Sequence, residues 1–151
     1  MTQVIRVGQH LPPGMATLAE AAALEGVRNV GKLIAAWETG EQRFGRDGAA
    51  LFAAFVGNHL AGIGGVKREA DADESAMRMH RFYIHPMYRR QGVGRVLADA
   101  AMAQGIASAA LLTCNARASA AAAVFWEALG FERRDAAGYT HIFRAGTKWP
   151  A

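Results

Sequence analysis

Residues 84–95 of the chain are Ile84-His85-Pro86-Met87-Tyr88-Arg89-Arg90-Gln91-Gly92-Val93-Gly94-Arg95, and this segment is the most informative in the sequence. The apolar, strand-like residues before it stop at Pro86, which has no N–H to offer a β-ladder. Beyond Gly92, apolar residues recur at helical spacing: Val93, Val96, Leu97, Ala100 and Ala101. The segment therefore predicts a strand, a tight loop and then a long helix.

The start of this predicted helix has the features of an anion site. The first N–H groups of a helix lack intrahelical partners and carry the positive end of the helix dipole. Gly92 and Gly94 have no Cβ, so a ligand can approach the backbone. Arg89, Arg90 and Arg95 add charge-assisted contacts. These features suit a pyrophosphate, although a glycine-containing turn with solvated arginines would explain the isolated pattern equally well.

Two other phosphate loops are excluded by the sequence. No Gly-x-x-x-x-Gly-Lys-Ser/Thr occurs, which excludes a P-loop. No Gly-x-Gly-x-x-Gly follows the first predicted strand, which argues against a dinucleotide-binding Rossmann fold.

Periodicity and turn residues divide the rest of the chain into strands and helices. The predicted strands are Val4–Val7, Ala50–Val56, His59–Lys67, Met77–His85, Ser108–Thr113, Phe131–Arg134 and Tyr139–Arg144. The predicted helices run from about Gly14 to Glu25, from Val27 to a stop at Gly40, from Gly92 to Gln104 with Gly105 as cap, and from Ser119 to Leu129. This order predicts an α/β (α+β) fold with helices on both faces of one sheet.

The composition predicts a single soluble domain, residues 1–151, with a sizeable core. Apolar residues make up 52% of the chain, yet no run reaches the roughly 20 residues of a membrane span, and no signal peptide is evident. We therefore expect a cytoplasmic protein without a membrane partner. The single cysteine, Cys114, excludes an internal disulfide and a cysteine-based metal cluster. The chain has a net charge of +4, but its basic residues form no basic helix face of the kind that binds nucleic acid. We therefore expect a small phosphate-bearing ligand and no nucleic acid.

Two segments together resemble the GNAT superfamily of N-acetyltransferases. Arg89-Arg90-Gln91-Gly92-Val93-Gly94 is similar to the family signature Arg/Gln-x-x-Gly-x-Gly/Ala, and Tyr83-Ile84-His85-Pro86 looks like the end of the family's fourth strand. Phe125-Trp126-Glu127-Ala128-Leu129-Gly130-Phe131 resembles a second family segment, an aromatic helix end that closes in Gly-Phe. The order of elements matches over essentially the whole chain.

The resemblance implies a mixed central sheet of about seven strands whose fourth and fifth strands splay apart, with acetyl-CoA as co-substrate. Because His80, His85 and His141 lack a sequence-adjacent carboxylate partner, no metal site is expected. The pantetheine arm would lie in the gap and pair with backbone groups of Tyr83, Ile84 and His85. The loop Arg89, Arg90, Gln91, Gly92, Val93, Gly94 and Arg95 would bind the pyrophosphate. Asn115 and Ser119 would lie near the arm, although a turn and a helix N-cap are equally good roles for them.

The predicted proton acceptor is His80, because imidazole titrates near pH 6.5 and is free to accept a proton at neutral pH. It lies four residues before Ile84, hence nominally on the same strand face. Alternatively, His80 is a hydrogen-bonded strand residue with no catalytic role. The base could also come from an acidic segment, although its residues are better explained as a solvated turn: Glu69, Asp71, Asp73 and Glu74.

The general acid is where the chain departs from its family, since Trp126 stands where a tyrosine is common. Indole does not titrate usefully, so either no acid is needed or it lies elsewhere, with Tyr83 and Tyr139 open. We expect Trp126 either to pack as an apolar wall against the acetyl-pantetheine region or to be a core aromatic residue without contact to the ligand. Cys114 is expected to be a small buried hydrophobe.

The expected reaction is direct attack by a primary amine of a small molecule on acetyl-CoA. Protein lysine or N-terminal acetylation is one alternative, and a catalytically silent CoA-binding domain is another. The acceptor pocket would involve the first two helices and the loop from Glu38 to Arg46, where Glu38 and Glu41 could attract an ammonium group. A homodimer is possible.

Overall fold

The computed structural model describes residues 1–146, which form one seven-stranded sheet with four α-helices. The strands are β1 (Thr2–Arg6), β2 (Ala50–Val56), β3 (His59–Arg68), β4 (Ala76–Ile84), β5 (Leu111–Cys114), β6 (Glu132–Arg133) and β7 (His141–Arg144). The helices are α1 (Met15–Leu24), α2 (Asn29–Thr39), α3 (Val93–Ile106) and α4 (Ala120–Ala128), with a 3₁₀ turn at Pro86–Tyr88. The strand order is β1-β2-β3-β4-β5-β7-β6, and β4–β5 is the parallel pair among these strands. The predicted α/β fold and order of elements are confirmed.

Helices cover both faces of the sheet, as predicted. Leu33 of α2 shares a buried cluster with Ile63 of β3 on one face. Ala98 of α3 and Trp126 of α4 share another with Met77 of β4 on the opposite face. None of the helices in residues 1–146 is long and apolar enough to cross a membrane.

One predicted helix end is wrong. Gly105 does not cap α3 but lies inside it, since the helix continues to Ile106. A Cβ at Gly105 would lie 2.7 Å from Leu112 Cδ2 and 3.2 Å from Val66 Cγ2, so the glycine lets the helix approach the sheet. Two further N–H groups then bond to the Gly105 carbonyl, and the fifth strand begins at Leu111 rather than at Ser108.

Candidate active site

β4 and β5 pair at one end only. Ala76–Arg78 lies alongside Leu111–Thr113, and no pairing continues beyond Arg78. β4 runs on for six residues to Ile84, whereas β5 ends at Cys114. A gap therefore opens between the second half of β4 and the end of β5, which confirms the predicted splay.

A β-bulge in β4 changes which face its side chains occupy. Tyr83 pairs with Ile63 and His80 with Gly65, so two residues of β4 oppose the single residue between them on β3. Arg81 lies in this bulge with φ +61°, a left-handed conformation that is uncommon for a residue with a side chain. The bulge adds one residue to the alternation of the strand.

The expectation that His80 shares a face with Ile84 is therefore wrong. Ile84 packs on the α3 side, in the cluster of Val93 and Leu97. His80 lies on the α2 side, where its ring is 6.2 Å from that of Phe44. The extra residue of the bulge is the physical reason, because each added residue reverses the faces that follow.

The edge of β4 that borders the gap offers main-chain donors. His85 N–H donates to Ala61 O at 2.8 Å, and Tyr83 lies opposite Ile63, so both residues bond towards β3. Because bonded pairs alternate along an antiparallel ladder, the main-chain groups of Ile84 face the gap instead. Of the three residues predicted to pair with a pantetheine arm, Ile84 is the one with this orientation.

Side chains already occupy the carbonyl groups along the same edge. Asn29 Nδ2 donates to Phe82 O at 2.7 Å, and Arg89 Nε donates to Ile84 O at 3.1 Å. The Asn29 bond fixes which amide atom faces the strand, so Oδ1 points elsewhere; it is the one fully buried side-chain polar atom in residues 1–146 without a partner. Asn29 was not among the predicted site residues, since nothing in the sequence but its place near a helix start distinguishes it.

The loop after β4 exposes the N–H groups at the start of α3. Gly92 is the N-cap with φ +80°, and Arg90 also has a positive φ, of 64°. The first intrahelical bond runs from Val96 N–H to Gly92 O at 3.1 Å, so the preceding N–H groups have no helical acceptor. Alternating backbone conformations of this kind form a concave cradle for anions. Arg90, Gln91 and Arg95 are exposed beside it.

Gly94 has a packing role in addition to the predicted role in ligand approach. A Cβ there would lie 3.1 Å from Phe125 Cε1 and 3.5 Å from Ile84 Cγ1. The absent side chain therefore lets α3 approach α4 and β4, in addition to any approach by a ligand. A bulky substitution at Gly94 would disturb this packing, whereas a Cβ at Gly92 would meet no atom within 4 Å.

Residues 18–145 match the family model of the acetyltransferase (GNAT) domain, which covers most of the chain. The chain belongs to the GNAT acetyltransferases. GNAT domains use acetyl-CoA as co-substrate, and the predicted resemblance is thereby confirmed. No curated protein sequence matches the chain.

Three solved structures illustrate how widely the fold is shared. A protein from Exiguobacterium sp. 255-15, assigned as an acetyltransferase, superposes with a TM-score of 0.85 at 22% identity, covering 95% of this chain and 93% of that one. A GNAT-family acetyltransferase from Staphylococcus aureus Mu50 has a TM-score of 0.74 at 12% identity, covering 98% and 100%. Glucosamine-6-phosphate N-acetyltransferase from Arabidopsis thaliana has a TM-score of 0.63 at 12% identity, covering 90% and 95%. At these identities, the likeness shows the GNAT fold alone.

Within this GNAT domain, the Arg89 side chain is held by protein groups. Its guanidinium makes two bonds to Glu25 at the end of α1, at 2.8 and 2.6 Å, and lies 5.4 Å from the ring centroid of Tyr83. The Tyr83 hydroxyl donates to the same Glu25 carboxylate. These bonds lower the pKa of Glu25 to about 2, with that to Arg89 the larger cause. The Arg89 side chain thus links α1 to the end of β4 and does not point into the anion cradle.

Asn115 and Ser119 follow β5 at the mouth of the gap and make local bonds. Asn115 Oδ1 accepts from Arg117 N–H at 3.0 Å, and Ser119 Oγ accepts from Ala122 N–H at 3.1 Å as the N-cap of α4. The turn and N-cap roles are therefore present. Both side chains are exposed, so contact with a ligand in the gap is compatible with these roles.

Trp126 belongs to an aromatic cluster of the GNAT core that reaches the gap. The residue is 6% exposed and makes edge-on contacts with Phe82, Phe125 and Phe131 at centroid distances of 4.9, 5.0 and 5.1 Å. The Phe82 ring lies over Gly64 of β3, so Trp126 packs against the α3 side of the strand that borders the gap. The indole N–H has no hydrogen-bond partner within residues 1–146. Both expected roles, core aromatic and apolar wall, fit this position.

His80 lines a cavity of about 180 Å³ on the α2 side of β4. Burial is the main cause that lowers the pKa of its imidazole to about 3, and the nearby charges of Lys67, Arg81 and Arg78 act in the same direction. His80 is therefore uncharged at neutral pH. Glu41 of the predicted acceptor loop also lines the cavity, whereas Glu38 does not.

The other candidate acids, bases and nucleophiles are occupied or remote. Glu69 is buried, not part of a solvated turn as expected, because it accepts from the Thr113 hydroxyl at 2.6 Å and pairs with Arg78 at 3.3 Å. Cys114 is buried as expected, and burial raises the pKa of its thiol to about 12. Tyr139 packs by the paired ends of β4 and β5, away from the gap.

Proposed function

We propose that this GNAT acetyltransferase transfers the acetyl group of acetyl-CoA to a primary amine of a small molecule, by direct attack within a ternary complex. One observation carries the proposal: the free edge of β4 runs from the cavity at His80 to the anion cradle at Gly92. A thioester in the gap would then have its pyrophosphate at one end and the acceptor cavity at the other.

Main-chain groups would hold the donor. The N–H groups from Arg90 to Arg95 would bind the pyrophosphate, aided by the exposed side chains of Arg90, Gln91 and Arg95. The gap-facing N–H groups of Ile84 and Phe82 would bind carbonyl oxygens of the pantetheine arm, in the manner of an added strand. Asn115 and Ser119 would border the arm from the β5 side.

The reaction needs an uncharged amine, and a free alkylamine is mostly protonated at neutral pH, with a reference pKa near 10.4. The amine nitrogen attacks the thioester carbonyl carbon, the C–S bond breaks, and sulfur leaves as CoA thiolate. His80 would accept the proton that the amine loses and pass it to water. Because its pKa is so low, it would hold that proton only briefly.

An amine panel tests the proposal. We expect acetyl-CoA to release free thiol with at least one small primary amine, and the acetylated amine to appear in equal amount. Acetyl-CoA that binds but releases thiol with none of the amines would indicate a silent domain. Turnover confined to lysine peptides or peptide N-termini would replace the small-molecule acceptor with a protein one.

Trp126 provides a prediction about the leaving group. Since thiols have reference pKa values near 8.5, CoA thiolate leaves without acid assistance. We expect Trp126→Phe, which keeps a ring and removes the N–H, to retain turnover within about tenfold, equal to about 1.4 kcal/mol of barrier. Steady-state thiol release measures this, with CoA affinity as the control. A larger loss at unchanged CoA affinity would show that the indole N–H takes part in the chemistry.

A further inference from the structure

The cavity beside the β4 bulge has a distinctive set of walls. Apolar side chains from α2 and the following loop form one part, and polar side chains from β3, the loop and β4 form the rest. The lining residues are Leu33, Ala36, Glu41, Gln42, Phe44, Lys67, His80 and Arg81. Phe44 reaches the cavity by lying over Gly65, where a Cβ would be 2.4 Å from its ring.

Two cations point into this cavity without an ion pair. Neither the Lys67 nor the Arg81 side chain makes a hydrogen bond or salt bridge within residues 1–146, and the His80 imidazole makes no hydrogen bond there either. The neighbouring Arg78, by contrast, is satisfied by Glu69 at 3.3 Å and by Gly138 O at 2.7 Å. With Glu41 the one carboxylate among the lining residues, the cavity carries a net charge of about +1 at neutral pH.

The strand register brings these two cations together. Lys67 lies opposite Arg78 and two residues from Gly65, which itself lies opposite His80, so Lys67 and His80 share the α2 face. Arg81 is the extra residue of the bulge, and its φ of +61° directs it to the same cavity. Burial is the main cause that lowers the pKa of both cations; the charge of Arg78 acts in the same direction on each, and the charge of Arg81 also lowers the pKa of Lys67. Bulges that re-aim a side chain are frequent beside active sites.

Partly buried, unpaired cations that repel one another favour an anion between them. We propose that the acceptor of this enzyme carries a small anionic group, a carboxylate or a phosphate, that binds Lys67 and Arg81. This inference rests on the proposed function, since it names the class of amine that the cavity accepts. The guanidinium fork suits the two oxygens of either anion, and the apolar wall of Leu33, Ala36 and Phe44 suits the carbon chain that links the anion to the amine.

Matched pairs of acceptors test this inference. The first set is the ω-amino carboxylates of two to six carbons, each compared with its neutral amide; the second is phosphoethanolamine compared with ethanolamine. Calorimetry in the presence of CoA measures affinity without competition at the anion cradle. We expect at least one anionic member to bind about tenfold or more tightly than its neutral counterpart, and the two sets distinguish carboxylate from phosphate.

Variants assign the preference to the two cations. Lys67→Met removes one charge at similar side-chain length, and Arg81→Asn removes the other with a residue that tolerates positive φ. Each should reduce the anionic-to-neutral affinity ratio about tenfold, whereas Lys32→Met, an exposed site on α2 outside the cavity, should leave the ratio as it is. Thermal melts check that each variant folds. If one variant does not fold, the other still tests the inference by itself.

The ratio decides the inference. If no anionic probe binds more tightly than its neutral counterpart, or if the ratio survives both substitutions, the inference is wrong. Failure of the proposed function would look different: no thiol would be released with any amine, while the anion preference could still be present and still depend on Lys67 and Arg81.

Discussion

Arg90→Glu combined with Arg95→Glu should weaken CoA binding by about 100-fold, or about 2.8 kcal/mol at 1.4 kcal/mol per tenfold. Both side chains are exposed beside the N-cap of α3, where the free N–H groups and the helix dipole favour an anion. Reversal of two charges replaces attraction by repulsion there. Neither arginine side chain makes a hydrogen bond or ion pair within residues 1–146, so the fold should be unaffected.

Calorimetry with two ligands makes this test specific. CoA contains the pyrophosphate and pantetheine does not, so only CoA should lose affinity in the double variant. Arg134→Glu is the matched control, because Arg134 is also exposed but lies beyond β6, outside the loop. The control reverses one charge and the double variant two, so a loss of binding free energy in the control about half that of the double variant would assign the effect to overall charge and would remove the loop as the pyrophosphate site.

His80→Gln should lower turnover by about 10²-fold, the low end of the usual contribution of a positioned proton acceptor because the pKa of His80 lies far below the working pH, while CoA affinity stays nearly constant. Glutamine retains hydrogen-bonding capacity but cannot take a proton. His59→Gln is the control, since His59 is exposed at the start of β3, directly after the turn from β2. Turnover within about threefold of the parent enzyme would exclude His80 as the acceptor and leave proton transfer to water.

The pH dependence of this variant follows from the low pKa of His80. Titration of a group with a pKa of about 3 cannot produce an acidic limb in the pH–rate profile between about pH 6 and 8, so such a limb reflects the amine and should persist in His80→Gln.

The folding stability, unlike the rate, should depend on His80 in this pH range. The unfolded chain binds the extra proton below about pH 6.5 and the folded one only near pH 3, so the parent protein loses stability as the pH falls through this range. The variant should lose less between pH 7 and 4 in denaturant titrations.

The sequence predicted the fold well because its strongest signals are local. Pro86 and Gly92 end a strand and begin a helix within a few residues, and Gly40, the C-cap of α2 with φ 80°, ends that helix where predicted. Gly57-Asn58 predicted a hairpin whose flanking residues, Val56 and His59, do pair. The prediction that Gly105 caps α3 was wrong because this glycine is required by close packing against Leu112 and Val66 of the sheet. Those contacts cannot be recognised from the residues next to Gly105 in the sequence.

The candidate site divides in the same way. The anion cradle was predictable, since its glycines and arginines are consecutive. The partner of Arg89 was not, because Glu25 lies 64 positions away in the chain. Lys67 ends the predicted strand His59–Lys67, but its proximity to Arg81 depends on strand register, which the sequence does not show.

The sequence by itself determined the order of the elements, the anion cradle at the start of α3 and the GNAT resemblance, because residues adjacent in the chain specify each of them. Only the tertiary structure decided which groups share the acceptor cavity. One extra residue in β4 at Arg81 reverses the alternation of side chains, so that His80 faces α2 and Ile84 faces α3. A bulge forms through pairing with another strand, and its position is therefore settled by contacts across the sheet rather than by the local pattern.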